Sequence, residues 1–402
     1  MRSFRQPSGL LQVLASPLLI FVAALAMRLA MMAHLLAAFG ASTFYLHNEC
    51  ANIASSLVSG AGFSSPWDPR HVAPTAQQPP LYPLLLAAIF RLFGAFTRTS
   101  AVVALALNSL AAALTAVLLP SLGEVYLHHR RSGVLAAWIF ALAPYESIIG
   151  LQLWSQALAA LMLVGFLSLL AAPHRPQRKR DCFFLGCYLG AVALLNPVLA
   201  LALACVFIAR IGITRRALLG LAGFLLLLAP WTLRNFLVFG RPIPLRDNFG
   251  FEVWVGNHEG LPLRHPMAFR GAFPMEDYRQ ANFDELKFLS QKAQEARRYI
   301  AARPAEFVQR CAWRVLEFWM TPAPGYWLLA SLLAWAGAIL AWPRNTCFLL
   351  LLLIFPLVYY VTHVWPNYRH PIEPIIILLA TYAVLRALSA VVSGRMPARH
   401  AG

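Results

Sequence analysis

The residues best suited to chemistry are a few isolated carboxylates and one basic turn. Glu49 stands in His47-Asn48-Glu49-Cys50, where Ile53 and Leu57 can share a helical face and Glu49 falls in the first turn. An acid so placed can act as a general base, or it can simply complement the helix dipole. The same loop carries Gln77-Gln78-Pro79-Pro80-Leu81-Tyr82-Pro83, which adds Gln78 and Tyr82 as candidate binding groups. Glu146 follows Pro144 and is the second candidate acid; a carboxylate near membrane depth is often functional, but it can also snorkel. Tyr368-Arg369-His370-Pro371 offers a guanidinium and an imidazole to a phosphate. Interface anchoring by Trp365 and Tyr368 is the competing reading of that turn, and Arg234 has the same two readings. His47 and Glu49 are the candidate ligands should a divalent metal bind, although no diagnostic spacing marks them.

The elements that must position these groups are membrane helices. The chain of 402 residues is 59% hydrophobic and 12% charged, about half the charged share of soluble domains. Its formal charge of +17 sits in short clusters between apolar runs, which marks cytoplasmic loops and not a nucleic-acid surface. Only Lys179, Lys287 and Lys292 among the 33 basic residues are lysine, a bias that points to a GC-rich bacterial genome and so to a bacterial inner membrane. The six cysteines form no C-x-x-C pair. Arg28 and His34 fall inside the first apolar run, where packing against protein is the simplest role.

Spans of about 20 apolar residues are needed to cross a bilayer. On that measure, with arginine clusters kept inside, ten crossings are expected. They are 18–39, 100–120, 133–149 past a kink at Pro144, 151–172, 182–195, 198–211, 217–233, 326–342, 347–361 and 372–388. Both termini are then cytoplasmic. The 14 residues from Leu81 to Gly94 carry Arg91 and are read as interfacial. The expectation is an all-α polytopic membrane protein in three parts. Residues 1–233 form a transmembrane module with an acidic outer loop at 40–99, residues 234–321 an extracytoplasmic segment, and residues 322–402 the last crossings. Ten of the sixteen acidic residues lie in 234–321. There Leu286, Leu289, Ala293, Ala296 and Ile300 predict an amphipathic helix, and Pro304 opens another with Phe307, Cys311, Val315 and Phe318 on one face. Together these predict a small helical cap.

One crossing, an acidic loop with interfacial helices, a second outer loop with an acid and a later extracytoplasmic segment together resemble the GT-C glycosyltransferases. The likeness is to the branch of protein O-mannosyltransferases and lipid A aminoarabinose transferases, often called family 39-like. That branch opens its first loop with Asp-Glu before a helix, where this chain has Asn48-Glu49, and follows with a Pro-Pro-Leu run, here Pro79-Pro80-Leu81-Tyr82. Tyr368-Arg369-His370-Pro371 matches a late-loop pattern. The resemblance implies a polyprenyl-phosphate sugar as donor, membrane lipids as surroundings, an extracytoplasmic lipid, glycan or protein as acceptor, and inverting displacement at the anomeric carbon. It implies that Glu49 deprotonates or orients the acceptor, that Glu146 assists, and that Arg369 and His370 hold the donor phosphate. Asn48 stands where the family's leading aspartate does, so the catalytic role passes to Glu49. A lipid-linked sugar flippase and a catalytically silent partner protein are the alternatives.

Overall fold

The structure, a computed structural model, describes residues 9–45, 48–68, 70–171, 178–263, 273–320 and 324–394. Among these it is helical throughout, with a single isolated bridge between Ser64 and Pro74 outside the helices. In chain order the helices are α1 (Gly9–Leu14), α2 (Pro17–Phe39), α3 (Glu49–Val58), α4 (Leu81–Phe93), α5 (Arg98–Leu127), α6 (Arg130–Leu142) and α7 (Pro144–Gly150). There follow α8 (Gln156–Ala171), α9 (Lys179–Ala193), α10 (Pro197–Ile211), α11 (Arg215–Phe239), α12 (Phe249–Gly256) and α13 (Met275–Gln280). The last are α14 (Glu285–Ala302), α15 (Pro304–Met320), α16 (Pro324–Leu340), α17 (Thr346–Ile354), α18 (Leu357–Val361) and α19 (Glu373–Gly394).

Starts and stops follow local chemistry. Ser16, Asn48, Thr97, Asn196 and Asp284 each cap a helix by accepting a backbone N–H three residues on. Pro17 and Pro197 fill first-turn positions where no N–H is needed. In lipid the helix is the form that satisfies its own backbone. Several helices also keep an outward apolar face: Leu218, Leu225 and Leu226 of α11 are 64%, 53% and 58% exposed, a surface suited to acyl chains and not to water. The protein is an integral membrane protein.

Four runs are long and apolar enough to span alone, namely Pro17–Phe39, Arg98–Leu127, Arg215–Phe239 and Pro366–Val392. Two bent pairs, α6 with α7 at 66° and α15 with α16 at 94°, raise that number to six. Others of the ten expected crossings correspond to shorter apolar helices such as Gln156–Ala171, Pro197–Ile211 and Thr346–Val361. The helix expected to end at Pro120 runs on to Leu127, because a proline removes one backbone donor without obliging the chain to turn. Where α9 meets α11, a Cβ on Gly186 would fall 1.8 Å from the Gly220 carbonyl oxygen, so only glycine permits this approach.

The cap core joins Phe251, Trp254, Tyr278, Phe288 and Leu289, and Trp67 from the loop between α3 and α4 packs into it, stacked on Phe273 at 4.3 Å. Helix α15 departs from expectation. Its buried side carries Arg310, Arg314 and Phe318, while Val308 and Val315 are exposed. The arginines turn inward because backbone oxygens there need donors: Arg310 meets Leu261 O at 2.8 Å and Pro262 O at 3.0 Å, and Arg314 donates to Gly256 O.

Candidate functional site

The loop between α2 and α4 is built to present two side chains. Asn48 is 2% exposed; its Oδ1 accepts from Ala51 N at 2.9 Å, and its Nδ2 donates to Leu153 O at 2.8 Å. This fixes α3 and with it Glu49. Residues 63–75 then fold back through Ser65 N to Ala73 O and Thr75 N to Phe63 O. Arg234 clasps that turn from α11, reaching Thr75 O at 2.7 Å and Phe63 O at 2.8 Å while lying over the rings of Trp231, Phe63 and Phe239. Buried Glu285 accepts from Ala76 N at 2.7 Å. Burial pushes its carboxyl up to about 7, against the hydrogen bonds from Thr75 and Ala76.

What this frame delivers is a hydrogen-bonded carboxylate. Glu49 is half-buried; its Oε1 accepts from Trp67 Nε1 at 3.2 Å and its Oε2 from Gln78 Nε2. From segments far along the chain, Glu252 and Arg246 act on its charge, and His363 faces Glu252. Arg246 donates through Nε to Gln77 O at 2.7 Å and through Nη2 to Glu252 Oε1 at 3.3 Å. Glu252 Oε1 also accepts from Asn248 Nδ2 at 2.5 Å. Facing its second oxygen, His363 Nε2 lies 3.7 Å from Glu252 Oε2 and 3.0 Å from the Tyr368 hydroxyl. Tyr368 in turn stacks on Tyr359 at 4.8 Å. Glu252 and Arg246 are 25% and 26% exposed, so a ligand can reach them.

Electrostatics separate the two acids. Glu49 is raised first by burial, and the charge of Glu252 raises it further, while Gln78, Arg246 and Trp67 oppose this. Glu252 is raised by burial and pulled back by Arg246. His363, 5% exposed, falls to about 4 because burial disfavours its cation, so the imidazole is neutral near pH 7. Its Nδ1 is buried without a partner. The tautomer this favours carries the proton on Nε2, toward Tyr368 and Glu252, since an unpaired lone pair costs less than an unpaired N–H.

Glu49, Gln78 and Tyr368 thus lie in one cluster. The remaining expected residues do not join it. Arg369 is 1% exposed, with Nε at 2.6 Å and Nη2 at 3.1 Å from Glu373 and Nη1 at 2.8 Å from Ser331 Oγ, and it lies over Trp327 at 4.4 Å. Each of its three nitrogens hydrogen-bonds within the protein, so it stands apart from the Glu49 cluster. His370 Nδ1 meets Glu146 Oε2 at 2.9 Å, each 1% exposed. That pair is sealed within the helix bundle, and neither group hydrogen-bonds to Glu49 or Arg246. Tyr82 is 2% exposed and takes a bond from Asn108 at 3.3 Å, which makes it a core residue. Arg234 is the clasp described above, its guanidinium held by Thr75 O and Phe63 O. His47 lies outside the described residues, and among these no three His, Cys, Asp or Glu side chains gather as a metal site would require.

Arg28 shows why a buried cation sits in the first crossing. Pro144 has no N–H, which leaves the Phe140 carbonyl without its helical donor. Arg28 Nη2 supplies one at 2.9 Å, and Nη1 reaches Ala141 O at 3.1 Å. Sequence reasoning missed Arg246, Glu252 and His363. One signal was available for Glu252, a lone acid in the otherwise apolar run Phe249-Gly250-Phe251-Glu252-Val253-Trp254.

No family model matches the chain, and no curated protein matches it. Among solved structures, it is similar to ArnT from Cupriavidus metallidurans, crystallised bound to undecaprenyl phosphate. The TM-score is 0.48 at 14% identity, with 99% of this chain and 68% of the other covered.

Proposed function

We propose that the protein is a membrane glycosyltransferase of the GT-C type, moving a sugar from a polyprenyl-phosphate carrier to an acceptor on the extracytoplasmic side of a bacterial inner membrane. The observation that carries the reading is the cluster itself. Two reachable carboxylates, Glu49 and Glu252, stand beside one reachable guanidinium, Arg246, whose Nη1 has no hydrogen-bond partner among the described residues. An inverting displacement needs such a set. A carboxylate engages the acceptor hydroxyl, and a cation stands by for the departing phosphate. Support for the carrier class comes from Asn48-Glu49, Pro79-Pro80-Leu81-Tyr82 and Tyr368-Arg369-His370-Pro371. Arg246 takes the phosphate role on this reading, because Arg369 is buried and bonded to Glu373, Ser331 and Trp319. Glu49, fixed by Gln78 and Trp67, orients the acceptor.

The test uses the purified full chain in vesicles, with radiolabelled undecaprenyl phosphate mannose and undecaprenyl phosphate glucose as donors and a bacterial lipid extract as acceptor. Transfer is expected from at least one donor, and Glu49→Gln is expected to reduce it by about 100-fold. Movement of donor across the vesicle without a new glycosidic bond would replace this reading with a flippase.

A further inference from the structure

We infer that Glu252 is the group that takes the acceptor's proton, while Glu49 positions the acceptor. This rests on the transferase reading and assigns labour within it. The argument begins with which oxygen is open. Both oxygens of Glu49 already accept a hydrogen bond, from Trp67 Nε1 and Gln78 Nε2. Glu252 is held by one oxygen alone, Oε1, which receives Asn248 Nδ2 and Arg246 Nη2. Among the described residues its Oε2 faces the His363 ring nitrogen alone, at 3.7 Å, beyond hydrogen-bond reach. Glu252 is therefore oriented through one oxygen and unoccupied at the other, as a base should be before substrate arrives.

The charge distribution agrees. Burial raises both acids and Arg246 opposes the rise in both, but the ion pair of Arg246 is made with Glu252. In the step itself the acceptor O–H bond breaks and its proton passes to Glu252 Oε2. The acceptor oxygen forms its bond to the anomeric carbon, and the bond from that carbon to the phosphate oxygen breaks, its electron pair leaving on the phosphate beside Arg246. His363 stays neutral and holds Tyr368 at the edge of the site.

Glu252→Gln is the decisive variant, because glutamine keeps the Oε1 acceptor for Asn248 and Arg246. It is expected to lower kcat by at least about 100-fold. The KM for donor and the quenching of tryptophan fluorescence by undecaprenyl phosphate alone should stay near wild type. A pH profile adds a readout that a structural role would not move. The titratable groups facing Glu252 are Arg246 from the α11–α12 connection, Glu49 from α3, Tyr359 from α18, and His363 and Tyr368 from the turn before α19. Wild-type transfer should fall as pH drops and Glu252 is protonated. Glu49→Gln should keep that acid limb, and the residual activity of Glu252→Gln should lose it. If Glu252→Gln retains both rate and acid limb in an active system, the proton assignment is overturned and the transferase reading stands. A wild type that binds undecaprenyl phosphate yet transfers from neither donor overturns the transferase reading and this assignment with it.

Discussion

Two clusters of charged side chains in this protein use the same residue types to opposite ends. In the first, Glu252 and Arg246 pair beside Glu49 at the edge of the cap, partly open to solvent, with Glu252 Oε2 and Arg246 Nη1 unpartnered among the described residues. In the second, Arg369 and Glu373 close on each other at 2.6 Å beside the Glu146–His370 pair, all four at most 1% exposed. Arg369 and Glu373 have spent their bonding capacity on neighbours, and Glu146 Oε1 and His370 Nε2 are buried out of solvent's reach, whereas the open cluster holds its capacity where a ligand can meet it. Burial and partner count, not residue type, separate structure from chemistry here.

The largest expected effect lies in the sealed cluster. Arg369→Ala would strand Glu373 in the protein interior, and removing one partner of a buried pair costs about 3–5 kcal/mol. Thermal unfolding in detergent should show a large loss, whereas Arg369→Met with Glu373→Leu should recover most of it. Were Arg369→Ala instead to fold normally and lose only donor affinity, the two clusters would have to exchange roles.

In the open cluster, Arg246→Ala should leave unfolding nearly unchanged and weaken binding of undecaprenyl phosphate by about 10- to 100-fold, the worth of one or two charge-assisted hydrogen bonds. Titration of undecaprenyl phosphate into vesicles measures this directly. An unchanged affinity would take the phosphate away from Arg246.

The same contrast explains what could be read from residues alone. The helical membrane body, the break at Pro144 and the cap helix over 285–302 follow from hydropathy, proline and apolar spacing, all local signals. Glu49 and Gln78 were legible as well, because acid and amide lie in one loop. Arg246, Glu252 and His363 were not: they come from the α11–α12 connection, α12 and the turn before α19, and nothing local to any of them says that the fold brings them together. Arg369 misled for the complementary reason. Its neighbours in sequence suggested a headgroup contact, but its partners are Glu373, one helical turn ahead, and Ser331 and Trp319 on other helices.

Asn48 offers the finest division between structure and chemistry. The resembling family has an acid at this place, yet here the amide uses both ends, its oxygen for Ala51 N and its nitrogen for Leu153 O. Asn48→Ala should therefore lose an N-cap and leave the Leu153 carbonyl short of a donor, lowering stability by about 1–2 kcal/mol. Asn48→Asp keeps the cap but sets a carboxylate oxygen against the Leu153 carbonyl, so it should lower stability without raising transfer. The paired measurements are thermal unfolding and transfer rate in the same vesicles. A rise in rate of about tenfold, worth 1.4 kcal/mol in the barrier, would show that position 48 faces substrate and that the loop's acid pair can be rebuilt. A fall in stability at unchanged rate would place Asn48 with the sealed cluster, as a residue whose bonds hold Glu49 where it acts.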